Sequence, residues 1–465
     1  MCSRTPWLLF QLFAFQRGKG SAHRTNYQEW RRRILRITLK DFIRTSIVGL
    51  VFLLLPSAVS AQTTFNTNVR IGFQPGDDWE PASVADNHGH LYVVYAHLVD
   101  SPAQTTCANC PNHLLIQRSD DGGNTWTSPV MIDPANGSQF DPWIALDPDG
   151  STIWISYMNN YPQATIDLVK STDFGVTWSA PVQVSTSSHM DKDAMAIRGG
   201  TMAVCFDDFY NGFAAISTDG GASWTQHVMF TFQNAPLQLL CSGAGIDSQG
   251  NIFFSWDTSL KNGTPGAAVW VEKSSDGGNT WTQTVIDNGG TAPACKNCGK
   301  GAYLGSQMSL SIGSDDTIYV LYNMTSDLTN GALQRIYFRT SADHGNSYSA
   351  RQDVSLAPIG VEHSFPTVLS GTKAGDVRVA WQDNRNGGSW NTMYRSSKNG
   401  GDRWSSESFV SNDVPGYPYL TSNGYLFPYG DYFRMALDSA GKIHVTWGEA
   451  LDYQSPGNIW VGNQH

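Results

Sequence analysis

Charged side chains are scarce in this chain. Lys, Arg, Asp and Glu make up 15% of its 465 residues, where soluble domains usually carry about 25%. Long apolar runs are missing too: residues 47–55 fall well short of the ~20 that a spanning helix needs. No heptad is sustained, which excludes a coiled coil. Disorder is excluded by a 40% hydrophobic content and 16 Trp. What the chain has in plenty is 45 Gly, 21 Pro and those Trp, the turns and aromatic anchors of an all-β protein.

The basic residues are unevenly spread. Residues 1–61 hold ten of the 30 Lys and Arg but two of the 40 acids, Glu29 and Asp41. The apolar run at 47–55 follows, then Val59-Ser60-Ala61. A basic stretch, a short apolar run and a small-residue site read as a secretory signal peptide with an extended basic n-region, cleaved after Ala61. An uncleaved signal anchor in a membrane is the alternative. The remaining domain, residues 62–465, keeps 20 basic against 38 acidic side chains. No basic cluster survives in it, so nucleic acid is excluded as a partner. The expected location is secreted or periplasmic, and the expected state a monomer.

One motif recurs six times. Its fullest forms are Ser119-Asp120-Asp121-Gly122-Gly123-Asn124-Thr125-Trp126 and Ser274-Ser275-Asp276-Gly277-Gly278-Asn279-Thr280-Trp281. Further copies start at Ser171, Ser217, Ser341 and Ser397. The chemistry is that of a tight turn: Asp accepts backbone N–H groups, Gly takes positive φ, and Trp packs back over the loop. Apolar strands ending in an aromatic alternate with these turns, at 91–95, 153–157, 202–206, 252–256, 318–322, 377–381 and 443–447. Seven strand units with four strands each describe a seven-bladed β-propeller, with six blades as the runner-up. The seventh turn is missing because the chain stops after residues 458–462. A strand near residues 67–72 is expected to complete that last blade and close the ring.

The six turns resemble the Asp-boxes, or bacterial neuraminidase repeats, of the sialidase-like propeller superfamily. The resemblance covers nearly all of residues 67–465. It implies that the turns are structural and lie on the rim away from the active site. It also implies an extracellular glycan as partner and a carbohydrate-active role, that of an exo-sialidase-like glycoside hydrolase. A non-catalytic glycan- or protein-binding propeller and a polysaccharide lyase share this scaffold and stand as alternatives.

In such a fold ligands meet the loops entering each innermost strand and leaving the second. The residues there are Asp77-Asp78-Trp79-Glu80, Asp141, His189 with Asp191 and Asp193, Glu362-His363, and Tyr429 to Arg434. Asp207, Asp208, Asp257, Asp383, Arg385 and Glu449 follow second strands. Paired carboxylates can hydrolyse a glycosidic bond, and a carboxylate ring can equally hold Ca²⁺. No cofactor and no metal ligands are otherwise assigned.

The sialidase segment Arg-Ile-Pro is matched by Trp79-Glu80-Pro81, with Trp in the Arg position. Gly430-Asp431-Tyr432-Phe433-Arg434 resembles the segment that bears the sialidase tyrosine nucleophile. The resemblance therefore implies Asp78, Glu80, Asp431 and Tyr432 as the catalytic group. Arg434, Arg385, Asp141, Asp191, Glu362 and His363 are expected to bind substrate. Beyond Cys2, the cysteines comprise two CxxC pairs, Cys107/Cys110 and Cys295/Cys298, and the singles Cys205 and Cys241. An exported chain favours two local disulfides; a shared Zn²⁺ site is the alternative. Cys205 and Cys241 read as buried packing thiols.

Overall fold

The computed structural model describes residues 62–72, 76–99, 110–134, 137–234, 236–260, 263–293, 305–412, 416, 420–421, 424–425, 430, 432–449 and 458–465. The expected leader lies outside them, as do Cys107, Cys295, Cys298 and Asp431.

Seven antiparallel four-stranded sheets form the blades of a β-propeller. Blade 1 runs through Asp77–Ala85, Leu91–Leu98, His113–Ser119 and Val130–Met131. Blades 2 to 6 repeat this order, with innermost strands Ser138–Leu146, Asp191–Arg198, Gln238–Ile246, Met308–Ile312 and His363–Ser370. Blade 7 has Arg434–Leu437, Ile443–Glu449 and Asn458–Asn463, and its outermost strand is Val69–Arg70 from the other end of the domain. Val69 pairs with Val461 and Arg70 with Trp460. The expected closure is thus present, and it leaves the ring without a free inner seam.

The second strands are almost wholly apolar because both their faces are covered. Leu91–Leu98 and Ile318–Thr325 are buried at every position. The apolar side chains fill seven clusters, one between each pair of neighbouring blades. Tyr92, Val94 and Ile155 belong to the cluster between blades 1 and 2. Val93, Tyr95, Ile459 and Val461 belong to the one that joins blades 7 and 1. The seven innermost strands surround a channel of about 410 Å³.

The repeated turns share one Ser–Asp hydrogen-bond pattern after the third strand of their blades, with Asn399 in the Asp position of blade 6. In blade 4, Ser274 Oγ donates to Asp276 at 2.8 Å and accepts the Gly278 N–H at 2.9 Å. Asp276 accepts the Thr280 N–H at 2.9 Å and its hydroxyl at 2.6 Å. Trp281 Nε1 donates to the Gly278 carbonyl at 2.9 Å. Gly277 and Gly278 both have positive φ, 72° and 95°.

One expectation is overturned. Cys205 and Cys241 are not separate thiols but a disulfide, with Cα atoms 6.1 Å apart. Cys205 lies on the second strand of blade 3 and Cys241 on the innermost strand of blade 4, so the bond staples two blades through their shared core. Each cysteine, judged on its own strand, reads as a packing residue. The partner becomes apparent only across the blade interface. Cys110 is also disulfide-bonded.

Candidate functional site

The innermost strands share a defect at one end. Pairing slips between Trp79 and Ala82, Phe140 and Trp143, Asp191 and Ala194, Cys241 and Gly243, and Ser364 and Thr367. In four of these bulges a non-glycine residue takes positive φ: Glu80 (56°), Asp141 (52°), Lys192 (38°) and Phe365 (54°). Such a conformation costs ~1–3 kcal/mol and persists only where the surroundings enforce it. Bulges re-aim side chains, and here the same re-aiming is repeated around the mouth of the channel. Proline follows at Pro81, Pro142 and Pro366, where it removes an N–H that the bulge leaves unpaired.

The bulged residues interlock. Glu80 Oε2 accepts the Asp141 N–H at 3.2 Å. The Asp141 carboxylate pairs with Lys192 Nζ, and both side chains are nine-tenths buried. The Lys192 ammonium lies 4.5 Å from the centre of the Tyr432 ring. The Tyr432 hydroxyl donates to the Pro142 carbonyl at 3.2 Å. The Arg434 guanidinium stacks on Trp143 at 3.7 Å and lies 5.3 Å from Tyr432. Gly430, at φ 99°, passes so close that a Cβ would meet the Glu80 nitrogen at 2.8 Å. The segment leading into blade 7 is thereby held against the bulge of blade 1.

Asp193 completes the group. It is buried, accepts the Ser156 hydroxyl through Oδ2, and its Oδ1 has no hydrogen-bond partner. Burial pushes its pKa well above the carboxylate range, and Asp141 adds to this against the pull of Lys192 and Arg434. The site thus combines a carboxylate–ammonium pair, a second cation, an oriented phenol and a buried carboxyl that holds its proton more tightly than an ordinary one. Trp143, Lys192, Asp193, Tyr432 and Arg434 line a void of about 30 Å³, room for one or two waters.

The structure brings together Glu80, Asp141, Tyr432 and Arg434 from the sequence reading. Asp78 is elsewhere: it is fully buried, bound to His97 Nδ1 at 2.8 Å and covered by Gly72. Asp191 caps the Lys192 N–H at 2.9 Å and pairs in register with Asp207. Glu362, His363 and Arg385 belong to a network between blades 5 and 6. Glu362 accepts the Gln334 N–H at 2.6 Å, and Arg385 binds Asp383 and Glu407, each at 2.5 Å. His363 is buried, with Nε2 2.8 Å from the Ser355 hydroxyl, and burial pushes its pKa down to about 4. It is neutral at physiological pH. Among the described residues no group of three or more His, Cys, Asp or Glu is placed to hold a metal ion.

Lys192, Trp143 and Ser156 were not singled out from the sequence. The recurring prolines at 81, 142 and 366 mark the bulges, and aligning the blades on them would have pointed to Lys192.

No known family profile and no curated protein matches this sequence. Solved structures do. A Dyadobacter fermentans protein of unknown function is 14% identical, with 87% of this chain and 99% of that one covered and a TM-score of 0.51. An ulvan lyase, described as a new family of polysaccharide lyase, is 12% identical over 84% and 95% of the two chains, TM-score 0.49. The intramolecular trans-sialidase of Ruminococcus gnavus is 14% identical over 85% and 96%, TM-score 0.41. At such identities the likeness is one of fold alone.

Proposed function

We propose that this is an exported glycoside hydrolase whose substrate presents a carboxylated sugar to the channel mouth. The observation that carries the reading is the packing of Tyr432 against two cations, Lys192 and Arg434, at a void that the buried acid Asp193 also lines. Two cations in a site of low water content favour a carboxylate on the substrate. Asp193 donates its proton to the departing glycosidic oxygen. The Tyr432 oxygen attacks the anomeric carbon, and its own proton passes to Asp141. Lys192 and Arg434 stabilise the phenolate as it forms. Water then cleaves the tyrosyl–sugar bond, giving its proton to Asp193, while the departing Tyr432 oxygen takes its own proton back from Asp141. Disulfide bonding at Cys205, Cys241 and Cys110 supports an oxidising compartment and hence export.

A second reading is favoured by the size of the void, about 30 Å³, which is less than a sugar ring needs. In it the propeller binds a glycan across the mouth without cleaving it. The purified domain, residues 62–465, screened against sialosides, uronic-acid polymers and neutral oligosaccharides separates the two. Hydrolysis abolished by Tyr432→Phe and Asp193→Asn supports the first reading. Binding without product, weakened by Lys192→Met, leaves the second.

A further inference from the structure

We infer that Tyr161, Phe209 and Tyr210 form a stacking platform that extends the mouth into a multi-sugar site, so that the substrate is a chain of sugars rather than a single terminal one. The inference rests on the reading of the mouth as a glycan site.

Among the described residues, these are the only Trp, Tyr or Phe side chains largely open to solvent, at 55%, 44% and 47% exposed. Every other described Trp, Tyr, Phe is buried or partly covered. A propeller this rich in aromatic residues hides them between its blades, so three left in solvent at the same end of two neighbouring blades call for a partner. They are also on the right face. Tyr161 ends the second strand of blade 2 and pairs with Ser138, the first residue of that blade's innermost strand. Phe209 and Tyr210 follow Asp207, which pairs with Asp191 at the start of the innermost strand of blade 3. Blades 2 and 3 are the two that supply Asp141, Lys192 and Asp193. The platform and the mouth therefore share one end of the same two sheets.

The backbone that carries the rings is held in place. Asn160 and Phe209 both have positive φ, 64° and 68°. Asp207 accepts the Phe209 N–H at 2.9 Å, and Asp208 accepts those of Tyr210 and Asn211 at 3.0 and 2.7 Å. The Tyr161 ring meets Phe140 edge-on at 5.3 Å. Phe140 in turn precedes the bulged Asp141. The matching turn of blade 6 presents Asn386, Gly387 and Gly388 instead. Pre-ordered rings lose little entropy on binding, and their flat apolar faces suit the C–H faces of sugar rings while leaving the hydroxyls in water.

Length dependence tests this. Hyaluronan and xylan fragments of two and eight sugars serve as probes, with affinity read by calorimetry. The octasaccharide of at least one probe is expected to bind the domain about tenfold or more tighter than the disaccharide, the ratio that stacking of one or two rings supplies. Tyr161→Ala with Phe209→Ala should erase that advantage and leave disaccharide affinity unchanged. Lys192→Met reports on the mouth alone: it should weaken both lengths of hyaluronan equally and preserve their ratio. If Lys192→Met has no effect while the length advantage persists, the mouth reading fails and the platform stands. The platform is overturned by a wild-type protein that ignores length with both probes, or by a double variant that keeps the advantage. A wild-type dimer in ultracentrifugation that the double variant dissociates overturns it as well, and assigns the rings to a protein contact.

Discussion

The two faces of the propeller use carboxylates in opposite ways. On the turn face, Asp121, Asp219, Asp276 and Asp343 repeat one geometry, each accepting a hydroxyl and backbone N–H groups of its own loop. Those bonds, the side-chain hydroxyl first, lower each pKa to about 2. At the mouth the corresponding strand positions have diverged to Glu80, Asp141, Lys192 and Phe365, and Asp193 is driven the other way by burial. Repetition marks what each blade needs in order to fold. Divergence on a common bulge marks where the blades stop being equivalent, and that is where the proposed site lies.

The sharpest way to break this contrast is to alter one member of each set. Asp193→Asn or Lys192→Met should lower turnover on an identified substrate by about 10²–10³, the usual loss when one group that stabilises developing charge is removed. The melting temperature should stay near that of the wild type for Asp193→Asn, whereas Lys192→Met leaves Asp141 unpaired and should lower it. A large fall in stability with activity per folded molecule intact would show that the mouth is scaffold like the turns.

The disulfide is the next largest effect, because it lies between the faces and serves the scaffold while Cys241 borders the mouth. Replacing Cys205 and Cys241 together by Ala should cost about 2–4 kcal/mol in urea unfolding. Reductant during unfolding should lower the wild-type midpoint at least as far, since it also opens the disulfide of Cys110. A variant as stable as the wild type in the absence of reductant would remove the staple from the account.

On the turn face, Ser274→Ala deletes the hydroxyl that caps Gly278 and orients Asp276. It should cost about 1–3 kcal/mol, as for a buried hydrogen-bonding group left without its partner. Substrate specificity should not change. Altered specificity at unchanged stability would contradict a structural role.

This ordering matches what was legible in the sequence. Blade number, ring closure and the turn chemistry were legible because they are local or repeated: six similar turns leave little room for another fold. Tyr432, Arg434, Asp141 and Glu80 were found by their position before innermost strands. Lys192 was hidden within a run of acids, Asp191 and Asp193, and its role depends on Asp141 in the neighbouring blade. Cys205 and Cys241 lie 36 residues apart with nothing in either strand to link them. Asp78 and Glu80 looked alike, yet two residues of strand alternation and a bulge send one to His97 and the other to the mouth. Contacts within a blade follow from its own sequence, whereas contacts between blades depend on register that single strands do not encode.

The smallest predicted effect, on acid stability, separates the faces by pH. The turn carboxylates have folded pKa values of about 2, below the ordinary value of 3.8. Their contribution is present in full above pH 4 and is lost as pH falls toward 2 and below, because the unfolded chain takes up protons first. Asp193, Asp207 and Glu449 have the opposite sign. Burial raises each of them, so the folded state holds their protons more tightly, and falling pH favours folding until the unfolded groups are protonated as well. Melting temperature should therefore hold or rise slightly on acidification to about pH 4 and then decline. The turn carboxylates are exposed, so each one contributes little and salt weakens it further. Asp276→Asn should flatten the decline below pH 4 and leave the profile above pH 5 unaltered, whereas Asp193→Asn should do the reverse. Calorimetry from pH 2 to 7 in low and high salt reads both. Identical profiles for the two variants would mean that the faces do not differ in how they hold their protons.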